Sequence, residues 1–98
     1  MSASRPGVPP ELTPAGPALL REHRAALVDL ARHHGLSRLR VTGTGRLLVS
    51  IDGDHDYFDL FDFERAAAQL VGAAVEAVSD GVLRNPGPAS ELVAAEPL

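Results

Sequence analysis

The chain of 98 residues contains no cysteine, lysine or tryptophan, and it has only four aromatic residues. Without cysteine, neither a disulfide framework nor a thiolate metal site can form. Apolar runs such as residues 70–75 are far too short to span a bilayer. Residues 1–5 contain no apolar stretch of the kind that begins a signal peptide. We therefore expect a cytoplasmic protein that makes no membrane contact.

Nine arginines stand against thirteen acidic residues, which gives a formal net charge of −4. Binding a phosphate backbone requires an excess of positive charge, so this balance argues against nucleic acid as a partner. Five of the eight prolines lie in the first 17 residues, where large apolar side chains are scarce. Such a composition does not bury enough surface to offset its ordering entropy. We expect a disordered tail over residues 1–16 and a single small domain over residues 17–98.

The hydrophobic periodicity predicts the main helices and strands. Apolar residues at three- and four-residue spacing predict a helix over residues 17–34, which ends at Gly35. Residues 38–51 alternate as two strands, and the Gly-Thr-Gly sequence at 43–45 is typical of a tight hairpin. A second helix is predicted from about residue 59 to 71, with Asp56 or Asp59 as its cap and Gly72 as its end.

A third short strand is predicted at residues 74–78, and one or two helical turns at residues 90–95. The order of elements is therefore α-β-β-α-β-α. This order predicts an α+β fold with a small mixed or antiparallel three-stranded sheet and helices packed on it.

The densest group of acidic residues lies just before the second helix. Five aspartates fall within residues 52–62, and the first of them begin like a calcium-binding loop. That loop requires glycine at its sixth position and glutamate at its twelfth, where this chain has Tyr57 and Phe63. The sequence therefore does not predict an EF-hand.

Three stretches, residues 30–43, 58–86 and 92–98, resemble in the same order the minimal nucleotidyltransferases of the DNA polymerase β superfamily. The resemblance implies a reduced nucleotidyltransferase-like fold. In that family, a Gly-Ser motif at a helix start holds the nucleotide triphosphate. An Asp-x-Asp motif and a third carboxylate hold two magnesium ions, which clamp the attacking and leaving oxygens during phosphoryl transfer.

The departures from the family pattern fall on these motifs, and two alignments compete. In the first, residues 47–51 are the second strand, and residues 44–46 stand where the helix and the Asp-x-Asp motif have been lost. In the second, Asp54 and Asp56 are the Asp-x-Asp motif, and Glu76 is the third carboxylate. We favour the first, because the second requires residues 57–60 to be a strand while they also begin a helix.

The favoured alignment implies a catalytically inactive domain with no catalytic residue, metal or cofactor. For nucleotide binding, this domain would retain only Gly43, Thr44 and Arg46. The side chain of Arg46 is expected to pair with Asp52 or Glu76. Family members are commonly antitoxins to a small helical HEPN-type ribonuclease toxin, so we expect a protein partner, either such a toxin or a second copy.

Three apolar side chains are expected on exposed surfaces where a partner could bind: Leu48, Phe58 and Phe61. The alternative function is an active enzyme that uses Mg²⁺ and ATP. In that enzyme Asp54, Asp56 and Glu76 would be the catalytic metal ligands, and the product would be a nucleotidylated protein or small molecule.

Overall fold

The structure is a computed structural model that describes residues 13–84, residue 87 and residues 90–98. Its elements, in chain order, are α1 (Pro17–Glu22), α2 (Arg24–His33), β1 (Leu36–Val41), β2 (Leu47–Ile51), α3 (Tyr57–Val71), β3 (Ala77–Ser79), a 3₁₀ helix (Asp80–Arg84), α4 (Ser90–Val93) and β4 (Glu96–Pro97). The α+β fold class predicted from the sequence is confirmed.

The first predicted helix is present but divided into α1 and α2. Pro17 begins α1, where its missing N–H costs no hydrogen bond. The division falls at His23, whose N–H bonds to the carbonyl of Leu20 at 3.1 Å and so tightens the last turn of α1. The second helix ends as predicted, because Gly35 has a φ of 72° that glycine adopts without a steric penalty.

The sheet has four strands in the order β3-β2-β1-β4. Strand β1 pairs antiparallel with β2 and with β4, whereas β2 pairs parallel with β3. The sheet therefore has one strand more than the three predicted from the sequence. Strand β4 has only two residues and includes a proline, so no alternating pattern marks it in the sequence. Strand β3 also begins three residues later than predicted, since Ala74 instead forms an isolated bridge with Pro14.

A β-bulge in β1 keeps its apolar residues on the core side of the sheet. The pairing register shifts between Ser37 and Arg40, and Arg38 there has a positive φ of 54°. Two residues of β1 therefore oppose one residue of β2. Without the extra residue, Leu36 and Leu39 would point to opposite faces, yet both belong to the same buried core cluster.

Helix α3 packs across the core side of the sheet and begins at a complete capping box. The side chain of Asp56 accepts hydrogen bonds from the N–H groups of Phe58 and Asp59, and the side chain of Asp59 accepts one from the N–H of Asp56. Gly72 ends the helix in the left-handed conformation, as predicted. The fully buried members of the core are Leu20, Leu27, Ala31, Leu47, Val49, Phe63 and Ala67.

The opposite face of the sheet is covered as well. Leu48 was expected to be exposed, but this expectation is wrong, because the side chain is fully buried. The 3₁₀ helix packs against β2 on this side, and its first residue, Asp80, accepts hydrogen bonds from Arg40 at 2.9 Å and from Ser50. The alternation of side chains along β2 predicts that Leu48 faces away from the core. It does not predict that a segment from later in the chain covers this face.

A disordered tail was predicted over residues 1–16, and residues 1–12 of it lie outside the described residues. Its last four residues pack against the domain. Ala15 is buried, and its N–H donates to the carbonyl of Ala74 at 2.8 Å. The N–H of Ala74 donates in turn to the carbonyl of Thr13 at 2.8 Å. Residues 13 and 15 of the predicted tail are therefore part of the packed fold. Among the described helices, none has both the length and the apolar character required to cross a membrane.

Candidate functional site

The β1–β2 connection comprises residues 42–46, and the favoured alignment puts residues 44–46 where the family pattern has a phosphate-binding helix. The N–H of Thr42 donates to the carbonyl of Arg46 at 2.9 Å, and the N–H of Gly45 donates to the carbonyl of Thr42 at 3.1 Å. Five residues closed by these bonds form a tight turn. A helix of even two turns needs about seven residues, so this connection does not provide the helix start that cradles phosphate.

The N-terminal segment passes directly over this turn. Gly45 has a φ of 92°, and a Cβ at this position would overlap the carbonyl oxygen of Ala15. Glycine is therefore required here on two grounds, the backbone conformation and the close approach. A small cavity of about 160 Å³ remains between the turn and residues 14–15, and it is also lined by Arg46 and Glu76. Pockets that hold small molecules or cofactors usually measure roughly 300–1,000 Å³.

Arg46 lies at the centre of a charged cluster that we call the Arg46 cluster, consisting of Thr44, Arg46, Glu76 and Glu91. The guanidinium donates a hydrogen bond from Nη1 to Glu91 Oε1 at 2.7 Å. Its Nε lies 3.1 Å from Glu76 Oε2, within ion-pair distance. This Nε–H is not aligned for a hydrogen bond and has no other partner among the described residues, although it is buried. The pairing of Arg46 with Glu76 was one of the two expected from the sequence.

The Arg46 cluster is held in place from three parts of the fold. The backbone N–H of Arg46 donates to Thr42 Oγ1 at 2.9 Å, and Thr42 is itself buried. The hydroxyl of Thr44 donates to the carboxylate of Glu91 on α4. Glu76 comes immediately before β3, and its carbonyl accepts from the N–H of Leu47 at 2.9 Å. The turn, β3 and α4 therefore meet at one point.

The ionisation of the cluster follows from these contacts. The hydrogen bond to Glu91 is the main cause that raises the pKa of Arg46, with a smaller contribution from the charge of Glu76. The hydrogen bond from Thr44 and then that from Arg46 lower the pKa of Glu91. These shifts favour the charged forms of both Arg46 and Glu91.

Asp54 and Asp56 lie at the other end of the sheet from Glu76. Strands β2 and β3 are parallel, with Leu47 paired to Ala77, so Glu76 lies where β2 begins. Both aspartates follow the end of β2, and its five residues separate the two ends by about 13 Å. The side chain of Asp56 is already engaged as the cap of α3. Asp54 is exposed in the preceding turn.

Within residues 13–84, residue 87 and residues 90–98, no three histidine, aspartate or glutamate side chains are close enough together to hold one metal ion. Arg40 on β1 pairs with Asp80 rather than with Asp52 or Glu76. Asp52 instead accepts a hydrogen bond from the hydroxyl of Ser37 at 2.6 Å. Gly43 is exposed at the tip of the turn.

Glu91 is the member of the Arg46 cluster that sequence reasoning missed. It lies 45 positions after Arg46 in a four-residue helix that carries no motif. Only the path of the C-terminal segment back to the sheet, where β4 pairs with β1, brings it to the turn. No local signal in the sequence indicates that path.

A comparison with solved structures agrees with this architecture, whereas two other comparisons found no match. No family model matches the chain, and no curated protein matches it. A solved structure described as that of a "putative minimal nucleotidyltransferase" is similar to it, with 26% sequence identity and a TM-score of 0.69. The similarity covers 86% of this chain and 97% of that one. The chain therefore has the fold of the minimal nucleotidyltransferases.

Proposed function

We propose that this chain is a catalytically silent nucleotidyltransferase-like domain that acts by binding another protein. The observation that carries the proposal is Arg46, which pairs with both Glu76 and Glu91 where the favoured alignment lost the Asp-x-Asp motif. Two divalent ions need several oxygen ligands each, and here a permanent positive charge already engages the two carboxylates. A divalent ion placed beside this guanidinium would be repelled at close range. The residues of the Arg46 cluster do not fit a magnesium pair.

The phosphate-binding half of such a site is also disfavoured. Thr44, which stands in the place of the family's serine, directs its hydroxyl to the carboxylate of Glu91. A triphosphate at this turn would therefore meet a carboxylate rather than free amide and hydroxyl donors. The other two residues expected to contact nucleotide are Gly43 and Arg46. They add no free positive charge, because glycine carries none and the guanidinium of Arg46 is already paired with two carboxylates.

The partner suggested by the family resemblance is a small helical HEPN-type ribonuclease toxin. In this proposal the domain is an antitoxin that acts through contact, without nucleotidylating its partner. The fold retains a surface that is suited to contact, since several large apolar side chains of α3 are exposed.

Incubation with radiolabelled ATP and Mg²⁺ tests the silent part of the proposal. The purified chain is combined with a HEPN-type ribonuclease, which serves as the candidate acceptor. We expect no labelled protein and no pyrophosphate release above the level of a chain-free control. Labelled product that disappears in the Asp54→Ala variant would establish the active enzyme and overturn the proposal.

Co-expression of the two proteins tests the binding part. We expect the chain to relieve the growth arrest caused by the toxin and to co-purify with it at a fixed stoichiometry. Relief of arrest should be unchanged in Glu76→Gln, because contact rather than chemistry is responsible. A toxin that remains active and separates from the chain during purification would contradict this part alone.

A further inference from the structure

Most of the aromatic side chains of this protein are exposed on one side of α3. Tyr57, Phe58 and Phe61 are 58%, 75% and 53% exposed, whereas Phe63 is fully buried. We call the first three residues the aromatic face. Residues three and four apart are neighbours on a helix surface, so Phe61 lies next to both Tyr57 and Phe58. A contiguous exposed group of large aromatic side chains is characteristic of an interaction surface.

The surroundings of the aromatic face are strongly acidic. Residues 52–64 contain six of the thirteen acidic residues of the chain and none of its nine arginines. Asp54, Asp56 and Asp62 are exposed there, and the nearest arginine along the chain is Arg65, which pairs with Asp62 at 2.6 Å. The remainder of the chain, by contrast, contains more arginines than acidic residues. The segment that carries the aromatic face therefore has a net negative charge, even when Arg65, one helical turn after Phe61, is counted.

The helix that presents this face is rigidly held. Its first turn is fixed by the capping box of Asp56 and Asp59, and its opposite side is anchored by the buried side chains of Leu60 and Phe63. The aromatic side chains therefore lie on a backbone that binding does not have to order. Such preorganisation lowers the entropic cost of association.

We infer that the aromatic face docks a partner protein segment that combines apolar side chains with flanking lysine or arginine. This inference rests on the proposed function, since it specifies where the protein contact is made and what chemistry it requires. The apolar side chains would cover Phe58 and Phe61, and the basic ones would face the surrounding aspartates. Because the segment that carries the aromatic face is acidic, charge complementarity favours a basic partner segment over an acidic or neutral one.

Two other occupants fit less well. In a two-fold symmetric dimer the same patch meets itself, so the acidic surroundings of both copies would face each other and repel. Anionic lipid surfaces attract basic segments, and an acidic patch is repelled by them. A basic and apolar protein segment meets neither obstacle.

A displayed library of random peptides selected on the immobilised full chain tests this inference without a known partner. We expect the enriched sequences to combine aromatic or aliphatic residues with lysine or arginine. A synthetic peptide of the enriched sequence should bind the Phe58→Ala/Phe61→Ala variant at least about tenfold more weakly than the unaltered chain. The Asp54→Asn variant should bind it more weakly as well, with a reduced dependence on salt.

Leu70→Ala is the matched control, because Leu70 is an exposed apolar residue in the last turn of the same helix. It should bind the peptide as the unaltered chain does. Because all substituted side chains are exposed, the variants should keep the circular dichroism spectrum and the urea midpoint of the original chain. These checks separate loss of the surface from loss of the fold.

Three results would overturn the inference. Equal peptide binding by the double aromatic variant would indicate charge attraction alone, and failure to enrich basic sequences would remove the complementarity. A dimer in sedimentation that the double variant dissociates would assign the face to a second copy. Each of these results leaves the labelled-ATP and toxin experiments untouched, so a failure of this surface is distinguishable from a failure of the proposed function.

Discussion

Gly45 is required by both its backbone conformation and its neighbour, which makes it a sharp test of the turn. A non-glycine residue at a φ of 92° is strained, and its Cβ would overlap the carbonyl oxygen of Ala15. We therefore expect Gly45→Ala to lower the free energy of unfolding by about 2 kcal/mol or more, as measured by urea denaturation.

Gly43, two residues earlier in the same turn, is the matched control. It has open space around an added Cβ and no positive φ. Gly43→Ala should change the free energy of unfolding by no more than about 0.5 kcal/mol. Equal effects of the two substitutions would contradict both the positive φ of Gly45 and its close approach to Ala15.

Asp80 gives a prediction for the pH dependence of stability. Burial alone would raise the pKa of Asp80, but the hydrogen bonds from Ser50 and Arg40 outweigh it, and the pKa is lowered from its ordinary value of 3.8. A carboxylate with a lowered pKa in the folded state stabilises the fold above its unfolded pKa, and this stability is lost as pH falls through the folded value.

We expect Asp80→Asn to be less stable than the original chain at pH 7, by about 1–2 kcal/mol. The difference between the two proteins should shrink as the pH falls below the ordinary value of 3.8, because the unfolded chain then takes up a proton that the folded chain, with its lowered pKa, does not. Urea denaturation of both proteins at a series of pH values measures this difference directly. A difference that stays constant between pH 7 and pH 3 would argue against the ion pair with Arg40.

The sequence predicted an individual contact only where both partners lie beside strands of the predicted sheet. The pairing of Arg46 with Glu76 was one of two expected pairings, because neighbouring strands bring them together. The contacts of Arg46 with Glu91 and of Arg40 with Asp80 were missed, since each depends on a segment that returns from far along the chain. Long-range packing determines these contacts, and local patterns do not encode it.

In the second alignment Asp56 would be a metal ligand of the Asp-x-Asp motif, whereas in the first it is free to cap α3. The observed capping box supports the role of helix cap. An N-cap aspartate replaced by alanine typically costs about 1 kcal/mol. We therefore expect Asp56→Ala to lower the free energy of unfolding by this amount, and Asp56→Ser to restore most of it, because a serine hydroxyl accepts the same hydrogen bonds. Urea denaturation again provides the measurement.

Asp54 is the control for this substitution, since it lies two residues earlier and is exposed. Asp54→Ala should leave the free energy of unfolding within about 0.5 kcal/mol of the original value. If Asp56→Ala were as harmless as Asp54→Ala, α3 would not depend on its capping box.

The helices and the hairpin were predicted more accurately than the edges of the sheet. Apolar periodicity and the stop signals Gly35 and Gly72 located the end of α2 and both ends of α3 to within about two residues. The break at His23, the bulge at Arg38 and the two-residue strand β4 were not anticipated. They arise from tertiary packing, which leaves no periodic pattern over so few residues.

The fold as a whole separates two regions with different properties. At one end of the sheet, the turn, β3 and α4 converge on the Arg46 cluster, where charges neutralise one another. At the other end, the loop after β2 and the start of α3 combine exposed aromatic side chains with unbalanced negative charge. The first region occupies the position expected for catalysis, and the second has the character of a binding surface. The sequence resemblance predicted the fold, but only the packing distinguishes these two regions.

The central claim is that the Arg46 cluster leaves no place for a metal-bound nucleotide. Calorimetric titration of Mg²⁺-ATP into the full chain tests it most directly, with Glu76→Gln and Asp54→Ala titrated in parallel. We predict no saturable binding up to about 1 mM, the upper end of ordinary KM values, for all three proteins. Stoichiometric binding by the original chain that weakens in either variant would contradict the claim.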